Sequence, residues 1–127
     1  QNDAEYVGGC IAGGRRYLHI NAAGDVEPCV FIHYSNVNIH KSSLLDALKS
    51  PLFMAYHNEQ PFNQNMLRPC PMLENPDCLQ NMVNKTGAVS TDLQSPESVE
   101  HLCDKCRPYA DNWKETANAL WYKHCIN

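Results

Sequence analysis

Seven cysteines occur in this chain of 127 residues, and their number and spacing constrain the fold more than any other feature. This density is high for a cytosolic protein and low for a small domain that is held together by disulfides. An odd number also leaves at least one thiol without an internal disulfide partner. Three explanations remain open at this point: a metal or cluster site, disulfides in a secreted domain, or unrelated free thiols.

The spacing groups most of the cysteines. Cys10 and Cys29 flank a predicted β-hairpin, whose antiparallel strands would bring both thiols to its open end. Cys70 lies between two prolines in a long polar loop. Cys103 and Cys106 form a C-x-x-C pair, in which one turn of chain can direct both sulfurs to the same metal or cluster. The spacing therefore favours a thiolate-bound metal or cluster.

Alternatives stand beside this interpretation. Four thiolates suit either zinc or an iron–sulfur cluster. A disulfide between Cys10 and Cys29 is physically reasonable, and no thioredoxin-like pattern surrounds the C-x-x-C pair. We interpret Cys78 and Cys125 as free thiols outside the site. His101, just before the C-x-x-C pair, is the histidine best placed to hydrogen-bond to a cluster sulfur.

Hydrophobic periodicity and turn residues predict a small α+β domain, with an N-terminal β-hairpin followed by several short α-helices. The hairpin is expected over residues 15–32, with its turn near Gly24. Pro28 marks the return strand as an edge or a broken strand. The helical part is expected over residues 42–123, and Gly87 is placed to end one of its helices. Predicted helix starts lie at Ser42 or Ser43, Ser50, Asn75, Ser95 and Asp111.

Charge and hydropathy exclude several classes of partner. The formal net charge is −4 and no Lys/Arg stripe is present, so we expect no nucleic-acid partner. No apolar run approaches the roughly 20 residues that span a bilayer, so we expect no membrane association. The polar, acidic start of the chain lacks the features of a signal peptide. We therefore expect a cytoplasmic protein with reduced thiols.

A resemblance to a known family rests on residues 9–29. The segment Gly9-Cys10-Ile11-Ala12-Gly13-Gly14-Arg15-Arg16-Tyr17-Leu18-His19-Ile20, followed by Gly24-Asp25-Val26-Glu27-Pro28-Cys29, resembles the opening of a SPASM-type domain. In many radical S-adenosylmethionine proteins this domain follows the catalytic barrel and holds auxiliary clusters. The family opening has a Cys, nine to fifteen residues, a Gly, four residues and a Cys. This chain has thirteen and four, and residues 38–53 continue in the same style.

The resemblance implies an auxiliary 4Fe–4S cluster. By position, Cys10 and Cys29 resemble the hairpin ligands of the first auxiliary cluster. The remaining ligands would come from Cys70, Cys103 and Cys106, so five candidates compete for four positions. The family's compact run of four cysteines is reduced here to the C-x-x-C pair, which predicts one cluster in a shortened, twitch-like arrangement. Zinc could replace the cluster in the isolated domain.

The resemblance also implies what this chain lacks. The C-x₃-C-x₂-C motif that binds the catalytic cluster is absent, and a barrel of about 200 residues does not fit. We expect residues 1–127 to form a single SPASM-like domain of a longer radical S-adenosylmethionine enzyme, not catalytic alone. S-adenosylmethionine would bind only to the core domain. The implied partners are that barrel in cis and the enzyme's peptide, protein or small-molecule substrate.

The expected role is electron relay or substrate docking beside the barrel. The alternative is a structural zinc-binding module for protein interaction that uses the same cysteines.

Overall fold

The structure, a computed structural model, describes the backbone of residues 4–126 and the side chains of residues 4–123. A short helix, α1 (Ala4–Val7), leads into a glycine-rich loop and then into a hairpin. Strand β1 (His19–Ile20) pairs antiparallel with β2 (Val26–Glu27), with His19 opposite Glu27. Helices make up most of the later chain, so the predicted α+β class with an N-terminal hairpin is confirmed. Cys125 lies outside the described side chains.

The hairpin is shorter than the predicted span of residues 15–32. Its ladder stops before Pro28, which has no N–H to donate. The chain then turns tightly, and the N–H of Ile32 donates to the carbonyl of Cys29 at 3.1 Å. Val30 and Phe31 are exposed in this turn, whereas Ile32 is buried. The predicted return strand therefore ends at Glu27, and Cys29 lies in a turn.

A second sheet joins two distant parts of the chain. Strand β3 (Tyr34–Ser35) pairs antiparallel with β4 (Val89–Ser90). Ser35 also donates its hydroxyl to the carbonyl of Val26, which fastens β3 to the hairpin. The sequence pattern did not predict this pairing, because two-residue strands carry almost no periodic signal.

Three helices begin where the capping residues predict. Helix α2 (Leu44–Leu48) starts after Ser43, which forms a reciprocal capping box with Asp46. Helix α3 (Pro51–Glu59) starts after Ser50, and α4 (Pro76–Thr86) starts after Asn75. Proline at the first helical position suits both starts, because its missing N–H has no partner there in any case. Helix α4 ends at Gly87, whose φ of +70° is left-handed.

The last helix corrects the prediction of two separate helices starting at Ser95 and Asp111. Helix α5 runs without interruption from Val99 to Ile126 and includes Pro108. Proline removes one intrahelical hydrogen bond, to the carbonyl four residues earlier. That carbonyl belongs to Asp104, and both Asp104 and Pro108 are exposed, so water can satisfy it. The C-x-x-C pair therefore lies within a helix and not at its end.

The core lies between the loops and the helices. Helix α4 packs against both α3 and α5. The largest fully buried side chains are Tyr56, Ile32, Leu52, Leu79 and Met82. The far half of α5 docks on the polar loop of residues 60–75, where Trp113 Nε1 donates to the carbonyl of Leu67 at 2.9 Å. None of the described helices has the length and apolarity that a bilayer crossing requires.

Candidate functional site

Cys10 lies in the glycine-rich loop after α1, and its side chain is buried. The guanidinium of Arg15 donates to the carbonyl oxygens of Val7 and, at 3.1 Å, of Cys10 itself. The N–H of Gly13 donates to the carbonyl of Pro28 at 2.9 Å. These bonds fold the loop around Arg15 and join it to the end of the hairpin. The segment that carries Cys10 therefore lies beside the segment that carries Cys29.

Tyr56 on α3 packs against this loop. Its hydroxyl lies 3.1 Å from Cys10 Sγ, and the side chain is almost fully buried. Gly13 makes this approach possible, because a Cβ at that position would lie 2.2 Å from Cδ1 of the Tyr56 ring. Gly13 also has a φ of +70°, which other residues adopt at a cost. Glycine is therefore required for Tyr56 to reach the thiol.

Cys29 receives a similar hydrogen bond. The hydroxyl of Tyr17 donates to Cys29 Sγ at 2.9 Å. Tyr17 comes just before β1, and its backbone carbonyl accepts the N–H of Gly14 at 3.0 Å. The tyrosine is thus anchored in the same loop that carries Cys10.

Cys70 sits in a tight turn that directs backbone donors at its sulfur. The N–H groups of Met72 and Leu73 lie 3.4 and 3.3 Å from Cys70 Sγ. The side-chain amide of Asn75 donates to the carbonyls of Arg68 and Cys70, at 2.8 and 3.0 Å. This amide and the prolines on either side of Cys70 restrict the conformation of the turn. Both hydrogen bonds to the sulfur therefore come from backbone groups of the same turn.

The three thiols share one environment. Burial is the main reason that the pKa values of Tyr17 and Tyr56 lie above their usual range. Ionisation of Cys10, Cys29 or Cys70 would raise both pKa values further, because a thiolate charge nearby opposes loss of the phenol proton. Cys10 and Tyr56 belong to one apolar cluster, and Tyr17, Cys29 and Cys70 pack against it.

Burial favours the protonated thiols of Cys10 and Cys70 in the absence of a ligand. It raises the pKa of Cys10, and the charges of Cys29 and Glu74 add to the effect. Burial likewise raises the pKa of Cys70 to about 12, although the two backbone N–H groups oppose it. Binding of a metal or cluster would require these thiols to lose their protons, so binding and proton release are coupled.

The C-x-x-C pair has a different set of neighbours. Cys103 is buried and its Sγ donates to the carbonyl of Pro76 at 3.1 Å, across the contact between α4 and α5. Burial raises its pKa to about 11, and the charges that act on it are those of Cys106, Arg107 and Asp77. All five predicted ligand cysteines border the same apolar cluster. The structure thus pairs Cys10 with Tyr56 and Cys29 with Tyr17, packs Cys70 against the same apolar cluster, and places Cys103 and Cys106 one turn apart on α5.

Glu27 is a buried residue that the sequence did not single out. Its carboxylate is fully buried and accepts hydrogen bonds from His19 (2.7 Å), His33 (3.2 Å) and the hydroxyl of Thr91 (2.5 Å). It stands two residues before Cys29 and joins the hairpin to the segments on either side of the β3–β4 sheet. In the sequence, the one sign of this cluster is a glutamate that can face a histidine across the hairpin. Such pairs also occur on exposed sheet faces, so the pattern does not predict burial.

Two other outcomes concern residues around the thiols. His101 pairs with Glu97, with 2.6 Å between His101 Nδ1 and Glu97 Oε2, so this nitrogen does not hydrogen-bond to a cysteine sulfur. Cys78 on α4 is half-buried, and its Sγ is 3.9 Å from the carbonyl of Phe62. Tyr17 and Tyr56 were not predicted as site residues, because nothing in the local sequence links a tyrosine to a distant cysteine.

Within the described part of the chain, no three His, Cys, Asp or Glu side chains are grouped so that they could hold a single metal ion. All cysteines with described side chains are free thiols.

Comparison with known proteins gives one family. No curated protein and no solved structure matches the chain. A family model for the SPASM iron–sulfur cluster-binding domain matches residues 10–79, which is more than half of the chain. The match begins at Cys10 and includes Cys29 and Cys70, but it ends within α4, before the C-x-x-C pair. The chain belongs to the SPASM family of iron–sulfur cluster-binding domains.

Proposed function

We propose that this chain is the auxiliary-cluster domain of a radical S-adenosylmethionine enzyme and that it holds one 4Fe–4S cluster. The observation that carries the proposal is that Cys10, Cys29 and Cys70 lie in or against one apolar cluster, within the segment that the family model matches. The fourth ligand is drawn from Cys103 or Cys106, which border the same apolar cluster.

The chemistry of the donor set supports an iron–sulfur cluster. Thiolates are soft ligands that suit iron–sulfur clusters, and hydrogen bonds to their sulfurs tune the cluster. Each of the three thiols has at least one such donor at hand. A 4Fe–4S cluster is also larger than one metal ion, so its ligands stand farther apart than those of a zinc site. Burial among apolar side chains would exclude water from the site.

A cationic group supports an anionic occupant. The Nε of Arg68 is buried and has no hydrogen-bond partner among the described residues. Its charge acts on Glu74, which in turn acts on Cys10 and Cys70. A cluster with thiolate ligands carries net negative charge, and the guanidinium charge of the partly buried Arg68 would offset part of it.

The bound cluster would accept and donate single electrons, and this chemistry fits a domain that works beside a radical-generating barrel. In that setting the domain serves electron relay or substrate docking, and the enzyme's substrate is a peptide, a protein or a small molecule. The barrel and its S-adenosylmethionine site are partners in cis, and the enzyme is cytoplasmic. These assignments follow the family and are part of the proposal.

Anaerobic reconstitution of the full chain with iron and sulfide tests the cluster. A brown protein with broad absorbance near about 400 nm and about four irons and four sulfides per chain is expected. Cys10→Ala, Cys29→Ala and Cys70→Ala should each remove most of this absorbance, and Cys78→Ser is the matched control that should retain it. A colourless wild-type protein without bound iron would refute the proposal.

The same experiment separates the remaining alternatives. If one cysteine of the α5 pair supplies the fourth ligand, then Cys103→Ala or Cys106→Ala, but not both, should lower the iron content. Metal analysis after aerobic and anaerobic preparation distinguishes a zinc module. Zinc bound in equal amounts under both conditions, with no uptake of iron, would favour the zinc module.

A further inference from the structure

Two tyrosine hydroxyls point at two of the proposed ligand sulfurs. Tyr17 lies 2.9 Å from Cys29 Sγ, and Tyr56 lies 3.1 Å from Cys10 Sγ. They come from different elements, one from the loop before β1 and the other from the middle of α3. The third sulfur, that of Cys70, has only backbone donors among the residues that the structure describes. Two of the three thiols therefore depend on side-chain donors, which substitution can remove singly.

The direction of these hydrogen bonds is fixed once the sulfur is a ligand. In the metal-free chain either the thiol or the hydroxyl of the Cys10–Tyr56 pair can donate. A cysteine that ligates iron is a thiolate and has no hydrogen to give. The phenol then becomes the donor, with the positive end of its O–H dipole directed at the sulfur.

Such a dipole acts differently on the two oxidation states of a cluster. One-electron reduction adds a negative charge that is spread over the irons and their sulfur ligands. A donor aimed at a ligand sulfur stabilises this additional charge, so it favours the reduced state and raises the reduction potential. The effect is largest where water is excluded, and Tyr56 is almost fully buried.

We propose that Tyr17 and Tyr56 are positioning residues that raise the reduction potential of the cluster through hydrogen bonds to Cys29 and Cys10. This inference rests on the proposed function. The tyrosines keep their protons and transfer no electron, and the electron that reduces the cluster remains on it. Their role is to set the potential at which the cluster accepts this electron.

Tyr17→Phe, Tyr56→Phe and the double variant test the proposal, because phenylalanine keeps the ring and removes only the hydroxyl. Tyr34→Phe is the matched control. Tyr34 is also buried, but its hydroxyl donates to the backbone carbonyl of Glu97 at 2.8 Å and not to a sulfur. The full chain is reconstituted anaerobically, and iron, sulfide and thermal unfolding are measured first. The midpoint potential is then measured by titration with dithionite, followed by absorbance and by the electron paramagnetic resonance signal of the reduced cluster.

We expect each single variant to bind as much iron as the wild type and to show a more negative midpoint potential. The double variant should show the largest shift, and Tyr34→Phe none. Unchanged potentials in Tyr17→Phe and Tyr56→Phe would overturn this inference and leave the proposed function intact. Loss of iron in both variants would assign the hydroxyls to cluster retention and would also overturn it. A wild-type chain that binds no iron overturns the proposed function, and this inference with it. Tyr17 is the less buried of the two, so Tyr17→Phe remains informative if Tyr56→Phe does not fold.

Discussion

Replacement of Glu27 by glutamine should strongly destabilise the metal-free chain. The carboxylate is fully buried, and its neighbours all present hydrogens to it: His19, His33 and Thr91. Glutamine keeps one acceptor oxygen, but its NH₂ group must face at least one of these donors. A buried donor is then left without an acceptor, and the negative charge that held the histidines is lost.

The magnitude follows from the number of bonds and their burial. A hydrogen bond to a charged group contributes roughly 1.5–3 kcal/mol, and a buried polar group that is left without a partner costs about 1–3 kcal/mol. The bonds from His19 and Thr91 are short, whereas His33 is more than half exposed and contributes less. We expect Glu27→Gln, which combines one lost bond with one unsatisfied buried donor, to lower the free energy of unfolding by about 3–5 kcal/mol. This is a large part of the 5–15 kcal/mol that is typical of a domain.

Urea denaturation of the reduced, metal-free chain at pH 7, followed by far-ultraviolet circular dichroism, measures the effect. Glu97→Gln is the matched control, because Glu97 also contacts a histidine and a second donor: His101 and Lys105 each lie 2.6 Å away. That cluster is on the surface, so the control should cost less than about 1 kcal/mol. Thr91→Val removes one donor of nearly equal shape and should cost roughly 1.5–3 kcal/mol, which keeps the test informative if Glu27→Gln does not fold. Equal losses of stability for Glu27→Gln and Glu97→Gln would refute the conclusion that the buried hydrogen bonds of Glu27 stabilise the fold.

Two further outcomes follow from the site. Gly13→Ala should destabilise the chain by about 1–3 kcal/mol more than Gly87→Ala in the same urea assay, because only the first Cβ would overlap the Tyr56 ring. Both glycines have a φ of +70°, so the backbone penalty is common to both, and equal losses would contradict the close approach of Tyr56. Alkylation of Cys70 by iodoacetamide at pH 8, followed by mass spectrometry, should be roughly 1000-fold slower in the folded metal-free chain than in urea, because burial raises its pKa from 9.0 to about 12. The unfolded chain loses this proton first, so stability should also fall as the pH rises above 9.0, and similar alkylation rates with and without urea would contradict the burial of this thiol.

Local chemistry predicted several parts of the fold. The Ser43 capping box, the prolines at the first helical positions of α3 and α4, and Gly87 are local signals that act on neighbouring backbone atoms, so they located α2, α3 and α4. Pro108 did not end α5. The carbonyl that it leaves without an N–H donor belongs to Asp104, which is exposed, so water can hydrogen-bond to that carbonyl. Pairing of β3 with β4 also escaped prediction, since it depends on how the whole chain folds back.

The site divides in the same way. The spacing from Cys10 through Gly24 to Cys29 predicted the family, and the family model confirms it. The five ligand cysteines remain predictions, of which the structure groups three. The hydroxyls that contact Cys10 and Cys29 lie 46 and 12 residues away in sequence, and no local pattern encodes such a contact. Tertiary packing, which a single sequence does not display, decides where they lie.

The long separations across the site also bear on the order in which the protein assembles. The carboxylate of Glu27 meets Thr91 across 64 residues, and Cys10 meets Tyr56 across 46. Contacts of this kind form late in folding, because a long loop of chain must close before they can contribute any stability. A ribosome that has released only the first hairpin therefore exposes Cys10 and Cys29 without the helix that supports them. A cluster that uses Cys70, as proposed above, would then find an incomplete site, and its insertion would have to wait until the Cys70 turn and α3 have packed together.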